Sequence, residues 1–475
     1  MRKVLFRKVL IANRGEVAVR VIRTLRDLGI RSVAVASEAD AGALHVRLAD
    51  EAVLLGPGPV KESYLNGERI LAAARDTSAE AIHPGYGFFS EHAGFARACA
   101  DAGLIFIGPS PEAIETMGLK TSARRAMQAA GIPVVPGTTE PVRTAQEALA
   151  AAREVGFPIA LKTVGGGGGK GFHVALSEQE IDQAFARASG EGDRFFANPD
   201  VYVERYLDDP RHVEVQILAD GEGNVVHLFE RDCSVQRRHQ KLVEEAPAPT
   251  IDEGTRRRIC ALAVDVARTV GYLSAGTVEG LLVGDRFFFL EMNTRLQVEH
   301  PVTEAITGID IVREQIRVAA GEPLSVGQDD VRGRGVAIEC RINAEAAHRG
   351  FLPSPGTVGA YREPGGPGIR VDSGVREGST VPPFYDSLLA KVVAWDLTRE
   401  GATARMLRAL GEFEIAGLAT LVPFHRALLA TAQWGNRESC RDLLADRDWL
   451  RSIESGDAAT GSRGDRAAAA PFGEG

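Results

Sequence analysis

Aromatic residues are scarce in this chain, at 6% of 475, and there are only five cysteines. Cys99, Cys233, Cys260, Cys340 and Cys440 lie far apart in the sequence, so no C-x-x-C or similar metal spacing exists, and the odd number speaks against a disulfide framework. A reduced, cytoplasmic protein is the expectation. No apolar run approaches the ~20 residues of a membrane span, and the opening M-R-K-V-L-F-R-K is too short in its apolar part for a signal peptide. A basic excess is missing too: 55 Lys and Arg face 64 Asp and Glu, a formal charge of -9. No global field therefore draws nucleic acid or an anionic membrane, and any polyphosphate must be held by a local site. The first strand-to-helix turn reads A-N-R-G-E and lacks G-x-G-x-x-G, which argues against a dinucleotide site.

What is present is glycine (52 residues) and a hydrophobic fraction of 44%, suited to a layered α/β protein with several cores. Short apolar strands at Lys8–Ala12, Ser32–Ser37, Glu51–Leu55, Ala79–His83 and Leu104–Gly108 alternate with helical patterns. That order predicts a parallel, doubly wound sheet, with H-P-G-Y-G-F-F-S-E at the carboxyl edge where such sheets bind ligands. A small α+β unit follows at about 134–204, then antiparallel strands and long helices to about Gly327. A third region starts near Val336, and the Gly/Ala/Asp/Arg/Ser-rich stretch 456–475 is expected to be a disordered tail.

Five consecutive glycines, Gly165 to Gly169, lie between Lys162 and Lys170. Glycines in that number forfeit chain entropy and supply no core. They do let backbone N–H groups approach an anion, and flanking lysines add charge. A flap over phosphates explains them; a flexible linker is the plainer alternative. In His212–Leu218, Val213, Val215 and Ile217 face one way while His212, Glu214 and Gln216 face the other. Taken alone, that polar face is expected to be solvated, as is the run Gln236–Lys241.

In Thr277–Val283, Glu279 shares a face with Leu281; in Phe287–Arg295, Glu291, Asn293 and Arg295 continue the face of Phe287 and Phe289. Gly284-Asp285-Arg286 between them reads as a hairpin turn. A three-residue loop sets Val283 opposite Phe287 and Glu279 opposite Glu291, whereas a two-residue loop would put Glu291 on the opposite face. Adjacent carboxylates need a cation between them, and with Asn293 they form a hard oxygen set suited to Mg²⁺ or Mn²⁺ on nucleotide phosphates. Just beyond, Arg295, Gln297 and Glu299 offer a bidentate cation, an amide and a carboxylate, a set for a small oxyanion plus a base. Arg341 shares the polar face of its strand with Glu339 and Asn343, while Val336, Ile338 and Cys340 face the core.

Six motifs in order, I-A-N-R-G-E, H-P-G-Y-G-F-F-S-E, G-G-G-G-G-K-G, E-R-D-C-S-V-Q-R-R-H-Q-K, E-M-N-T-R-L-Q-V-E-H and E-C-R-I-N-A-E, make the chain resemble the biotin carboxylases of the ATP-grasp superfamily over about 7–450. The resemblance implies α/β and α+β folds in three parts: a doubly wound N-terminal domain (1–118), an ATP-grasp domain (119–327) with a mobile glycine-rich lid (134–204), and a C-terminal domain (336–450). It implies that Lys120, Lys162 and the flap glycines Gly166, Gly167, Gly168 and Gly169 contact ATP phosphates. Glu204, the backbone at Arg205, and Leu207 would meet the adenine with Leu281, and His212, Gln236 and His239 would line the nucleotide site. Glu279, Glu291 and Asn293 would serve Mg²⁺ or Mn²⁺. Lys241, Arg295, Gln297 and Val298 would hold bicarbonate, Glu299 would be the base, and Arg341, Tyr86 and Gly87 would face biotin.

The implied reaction is ATP-dependent carboxylation of biotin through carboxyphosphate, the first half-reaction of an acyl-CoA carboxylase, with acetyl-CoA carboxylase and fatty acid synthesis foremost. No A-M-K-M or V-M-K-M biotin-attachment motif occurs, so the resemblance implies a separate biotin carboxyl carrier protein, with carboxyltransferase subunits and a homodimeric state. Three positions depart from the family pattern: Leu119 replaces a capping Asp, Phe172-His173 replaces Met-Arg after the flap, and Ala346 replaces Asp.

Overall fold

A computed structural model describes residues 6–163, 171–196, 198–238 and 240–453. Gly166–Gly169, Lys170, His239 and the 456–475 tail lie outside the described residues, as does the side chain of Lys120.

Strands β1 (Lys8–Ile11), β2 (Arg31–Ser37), β3 (Glu51–Gly56), β4 (Ala81–His83) and β5 (Ile105–Phe106) form a five-stranded sheet in the order β3-β2-β1-β4-β5. Every pairing in it is parallel, the doubly wound arrangement expected from strands separated by helices. Both faces of its central strands are buried. Val9 and Ile11 pack with Val17 and Val21 of the helix Gly15–Asp27, while Leu10 packs on the other side with Ile70 and Phe95. Near-continuous apolar strands follow from that double burial.

Strands β6 (Ile159–Thr163), β7 (Phe172–Ala175) and β8 (Val201–Arg205) form a separate antiparallel sheet ordered β7-β6-β8. Helices Ala145–Val155 and Ile181–Phe196 cover it through a small core of its own, including Ala148, Ile159, Leu161, Ala188 and Val203. The helix Lys120–Ala129 leading to this unit opens at Leu119 without a side-chain cap, as the loss of Asp there predicts.

The largest sheet has eight strands. It runs β13 (Arg286–Asn293), β12 (Ser274–Val283), β9 (Arg211–Ala219), β10 (Val225–Arg237), β11 (Gln240–Ala246), β14 (Val336–Asn343), then the strands Leu388–Asp396 and Ile369–Ser373. The β11–β14 pairing is antiparallel and joins the middle segment of the chain to the C-terminal segment in one sheet. One face of the sheet is apolar and covered by helices Glu253–Thr269 and Arg399–Glu412; Val213, Val215, Ile338 and Cys340 belong to it. The other face is polar, and it is buried as well. Glu214, Gln216, Arg231, Glu244, Glu339 and Lys391 are each 0% exposed. The solvated polar face expected for β9 is thereby corrected: alternation reports that two faces differ, not that one meets water.

Candidate functional site

The β12–β13 hairpin sets the position of the acidic pair, by a route different from the expected one. Its turn has two residues, Gly284-Asp285, with Val283 opposite Arg286, so the three-residue loop is wrong. From that register Leu282 faces Phe287 and Gly280 faces Phe289, which would leave Glu291 on the wrong side. A β-bulge between the Gly280 and Glu279 pairings takes up Leu290, and Glu279 pairs with Glu291. The bulge also corrects the expected shared face. Phe287, Phe289 and Met292 enter the core with Val278 and Leu282, while Glu291 and Asn293 line a cavity on the other face. Gly280 makes room for the aromatic row, since a Cβ there would come within 2.1 Å of the Phe287 ring. Aromatic burial and an outward acidic pair demand opposite faces of one strand, and a single extra residue supplies the change.

The cavity, of about 1300 Å³, lies between the five-stranded sheet, the lid sheet and the polar face of the large sheet. At its floor the Lys241 ammonium donates to Glu279 at 2.9 Å and to Glu299 at 2.7 Å, and also to Glu214. Arg231 holds the other oxygen of Glu214 at 2.6 Å and reaches Gln216 and Thr303. Arg341 donates through Nη2 to Glu299 at 2.9 Å and through Nε to Glu244 at 2.6 Å. Each oxygen of Glu299 therefore faces a different cation. Burial alone would raise the Glu299 carboxyl, but Lys241, Arg341 and Arg231 hold it well below the usual carboxylate range. Lys241 shows the converse: burial lowers it, yet Glu214, Glu279 and Glu299 keep its ammonium well above the ordinary lysine value.

Glu279 is the hub of the hydrogen bonding. It accepts from Asn293 Nδ2 at 2.6 Å and Gln297 Nε2 at 2.7 Å, and His212 Nε2 lies 2.7 Å from its second oxygen. Burial pushes His212 down, but Glu279 outweighs it and holds the imidazole above its ordinary value. Arg295 spans Asn293 Oδ1 at 2.7 Å and Gln297 Oε1 at 3.0 Å, and its Nε binds Glu91 at 2.9 Å. Gln236 lies 3.4 Å from His212. Among the described residues no donor reaches the Glu291 carboxylate, which lines the cavity across from Glu279.

On the lid side, Glu204 is pinned between Arg124 at 2.7 Å and Lys162 at 2.5 Å. The Arg205 N–H is taken by the Pro136 carbonyl at 2.7 Å. Leu207 and Leu281 line the same cavity. Phe172, one of the departures, lies with its ring centroid 5.5 Å from the Lys162 ammonium, and His173 sits 3.2 Å from Glu191. On the opposite wall, Tyr86 donates its hydroxyl to Glu16, and Gly87 lines the cavity beside it. Val298 also lines it, its carbonyl fixed by the buried Lys391 at 2.8 Å.

The structure thus gathers Tyr86, Lys162, His212, Glu279, Glu291, Arg295 and the two cations of Glu299, Lys241 and Arg341, around one cavity. Sequence reasoning passed over Glu214, Arg231, Glu244, Lys391 and Glu91 as functional residues. Glu214 carried a signal, its place on the polar face of an alternating strand, and Glu91 and Arg231 lie within two of the six motifs; Glu244 and Lys391 carried no local signal, because their partners are distant in sequence.

Family models match most of the chain. Residues 5–114 match the biotin carboxylase N-terminal domain, 120–326 the carbamoyl-phosphate synthase L chain ATP binding domain, and 339–446 the biotin carboxylase C-terminal domain. Biotin carboxylase 1 of Bacillus subtilis is 52% identical over 427 residues, covering 90% of this chain and 95% of that one. A pyruvate carboxylase subunit of Methanothermobacter thermautotrophicus is 50% identical over 425 residues, covering 90% and 87%. Among solved structures, the biotin carboxylase domain dimer of Hydrogenobacter thermophilus 2-oxoglutarate carboxylase, in complex with MgADP, ADP and bicarbonate, superposes with a TM-score of 0.89 at 45% identity, covering 93% of this chain and 99% of that one. With all three family domains matched in order and relatives at half identity along nearly their whole length, this chain belongs to the biotin carboxylases, ATP-dependent ligases of the ATP-grasp type.

Proposed function

We propose that the chain carries out the first half-reaction of an acyl-CoA carboxylase, acetyl-CoA carboxylase of fatty acid synthesis being the specific case. Biotin on a separate carrier protein is carboxylated with ATP and bicarbonate, and carboxyltransferase subunits pass the carboxyl group on. The working form is a cytoplasmic homodimer. Its domains are 1–118, 119–327 with the lid 134–204, and 336–450.

The observation that carries the reading is Glu299, whose two oxygens meet Lys241 and Arg341. Lys241, Arg295, Gln297 and Val298 hold bicarbonate, and Lys241 swings part of its charge from Glu299 to that anion. Glu299, ionised at neutral pH, then takes the bicarbonate proton as its oxygen attacks the γ-phosphorus. ADP leaves and carboxyphosphate forms, then breaks down to CO₂ and phosphate. The phosphate removes the biotin N–H proton, Arg341 stabilises the negative ureido oxygen with Tyr86 and Gly87 alongside, and the ureido nitrogen attacks CO₂ to form carboxybiotin.

Lys120, Lys162 and the glycines Gly166–Gly169 cover the ATP phosphates and exclude water. Glu204, Arg205, Leu207 and Leu281 bound the adenine, and His212, Gln236 and His239 complete the nucleotide wall. Glu279, Glu291 and Asn293 are a fit for Mg²⁺ or Mn²⁺, because the Glu291 carboxylate, which no donor reaches among the described residues, lies opposite Glu279. A divalent ion bound there would neutralise phosphate charge. The MgADP and bicarbonate of the H. thermophilus relative support the magnesium and bicarbonate assignments.

The test is ADP release with Mg-ATP, which should require bicarbonate and rise with biotin. Equal turnover with ammonia or an amino acid in place of biotin would overturn the reading. Offering purified biotinylated carriers from acyl-CoA and pyruvate systems then decides the acceptor. Carboxylation of the pyruvate carrier alone would remove the acetyl-CoA assignment.

A further inference from the structure

Behind Arg341, away from the cavity, two acidic side chains face each other with no part in the proposed reaction. Glu244 on β11 and Glu339 on β14 are directly paired across the strands, and both are 0% exposed. Glu244 Oε1 accepts from Arg341 Nε at 2.6 Å. Among the described residues, its Oε2 and both oxygens of Glu339 have no hydrogen-bond donor. Three buried acceptor oxygens without donors are costly unless they carry protons.

We propose that Glu244 is a positioning residue for Arg341: its ionised carboxylate draws the guanidinium back against the pull of Glu299 and so aims the cation at the biotin oxygen. This rests on the reading that Arg341 serves the biotin step. Glu299 and Glu244 grip Nη2 and Nε of one planar fork. With both anchors charged, the plane of the fork is fixed and its remaining edge is left for substrate. When Glu244 gains a proton, Glu299 becomes the single anionic anchor and the fork tips toward it.

The surroundings let that proton come and go near neutrality. Arg341 and Glu339 face Glu244 from β14, Lys241 from its own strand, Cys233 from β10, and Glu299 from the turn after β13, while Cys340 lies on the core side of β14. Lys391, on the neighbouring strand, acts on Glu339. Burial is the largest influence on Glu244, ahead of Arg341, and raises its carboxyl to about 7. Burial also holds Glu339 well above the usual carboxylate range.

The test compares wild type with Glu244→Ala and Glu244→Gln from pH 6 to 9, measuring carboxybiotin formed per phosphate released alongside bicarbonate-dependent ATP cleavage. The wild-type ratio should fall as pH drops through about 7. Glu244→Gln keeps an acceptor for Nε but cannot ionise, so its ratio should be flat there and sit at the wild-type low-pH value. Glu244→Ala should lower the ratio about tenfold at pH 8, the scale of one charged hydrogen bond, with ATP cleavage nearly intact. A Glu244→Gln profile that keeps the wild-type limb, or an alanine variant with the wild-type ratio, would overturn the proposal. If Glu244→Ala does not fold, the glutamine profile still decides. Failure of wild type to form carboxybiotin at all would instead count against the proposed function.

Discussion

The five-stranded and eight-stranded sheets of this chain are both buried, yet they bury different things. In the parallel sheet, β1 and β2 present Val9, Leu10, Ile11, Val33 and Val35, each 0% exposed, to apolar neighbours on both faces. In the large sheet one face is equally apolar, but the other carries Glu214, Arg231, Lys241, Glu244, Glu339 and Arg341. Replacing buried ion pairs by apolar groups is often neutral or stabilising, so the polar face is not there for stability. On the proposed function it is a preorganised field for the substrate charges the cavity would receive. The first sheet makes the fold; the second makes the chemistry at some expense to the fold.

That division can be broken most sharply at Glu299. Glu299→Gln keeps size and hydrogen bonding but removes the proposed base, and bicarbonate-dependent ADP release should fall by about 10²–10⁴, with ATP binding, measured first, retained. A smaller effect is expected from Glu291→Gln. The substitution leaves the hairpin register and its bulge intact but removes the carboxylate opposite Glu279. Activity should drop roughly 10²-fold from weakened metal holding, and Mg²⁺-dependent tightening of ADP binding, read by calorimetry, should disappear. If that tightening persists, the paired carboxylates do not hold the metal.

On the apolar side of the comparison, Ile82→Ala in β4 should cost about 2–5 kcal/mol of stability in denaturant unfolding, while the Michaelis constant for ATP stays at the wild-type value. The mildest prediction concerns Glu339. A buried carboxyl raised above its ordinary 4.5 keeps a proton that the unfolded chain has already lost. Its contribution to stability therefore falls as pH rises from 4.5 toward the raised value. Glu339→Gln removes that penalty, so the variant should gain roughly 1–2 kcal/mol over wild type at pH 8 and almost nothing near pH 5, by melting at both. An equal gain at both values would mean that folding does not raise the Glu339 carboxyl.

The parallel sheet was legible because double burial writes itself as apolar runs, and the five strands fell where those runs do. The polar face was half legible. Val336, Ile338 and Cys340 were correctly set toward the core, which placed Arg341 and Glu339 together on the other side. What could not be read was how that side is covered, since Lys391 meets Val298, and Arg341 meets Glu244, across long stretches of chain. The bulge at Leu290 was invisible for another reason. Strict alternation assumes one residue per position, and only the conflict between buried Phe287 and Phe289 and an outward Glu291 hinted that a residue must be skipped.

The antiparallel seam between β11 and β14 has a consequence for how the molecule can be divided. The family matches treat 120–326 and 339–446 as separate units, but the sheet runs through both. A fragment ending at 327 would leave β11 as a bare edge, with Val243 and Ala246 stripped of Cys340 and Ala337 and a row of backbone groups open to any passing strand. Such a fragment invites self-association, and a matching C-terminal piece would carry the complementary edge. Mixed together, the two halves hold the means to find each other, which makes this seam a place to build a split enzyme whose activity reports on reassembly.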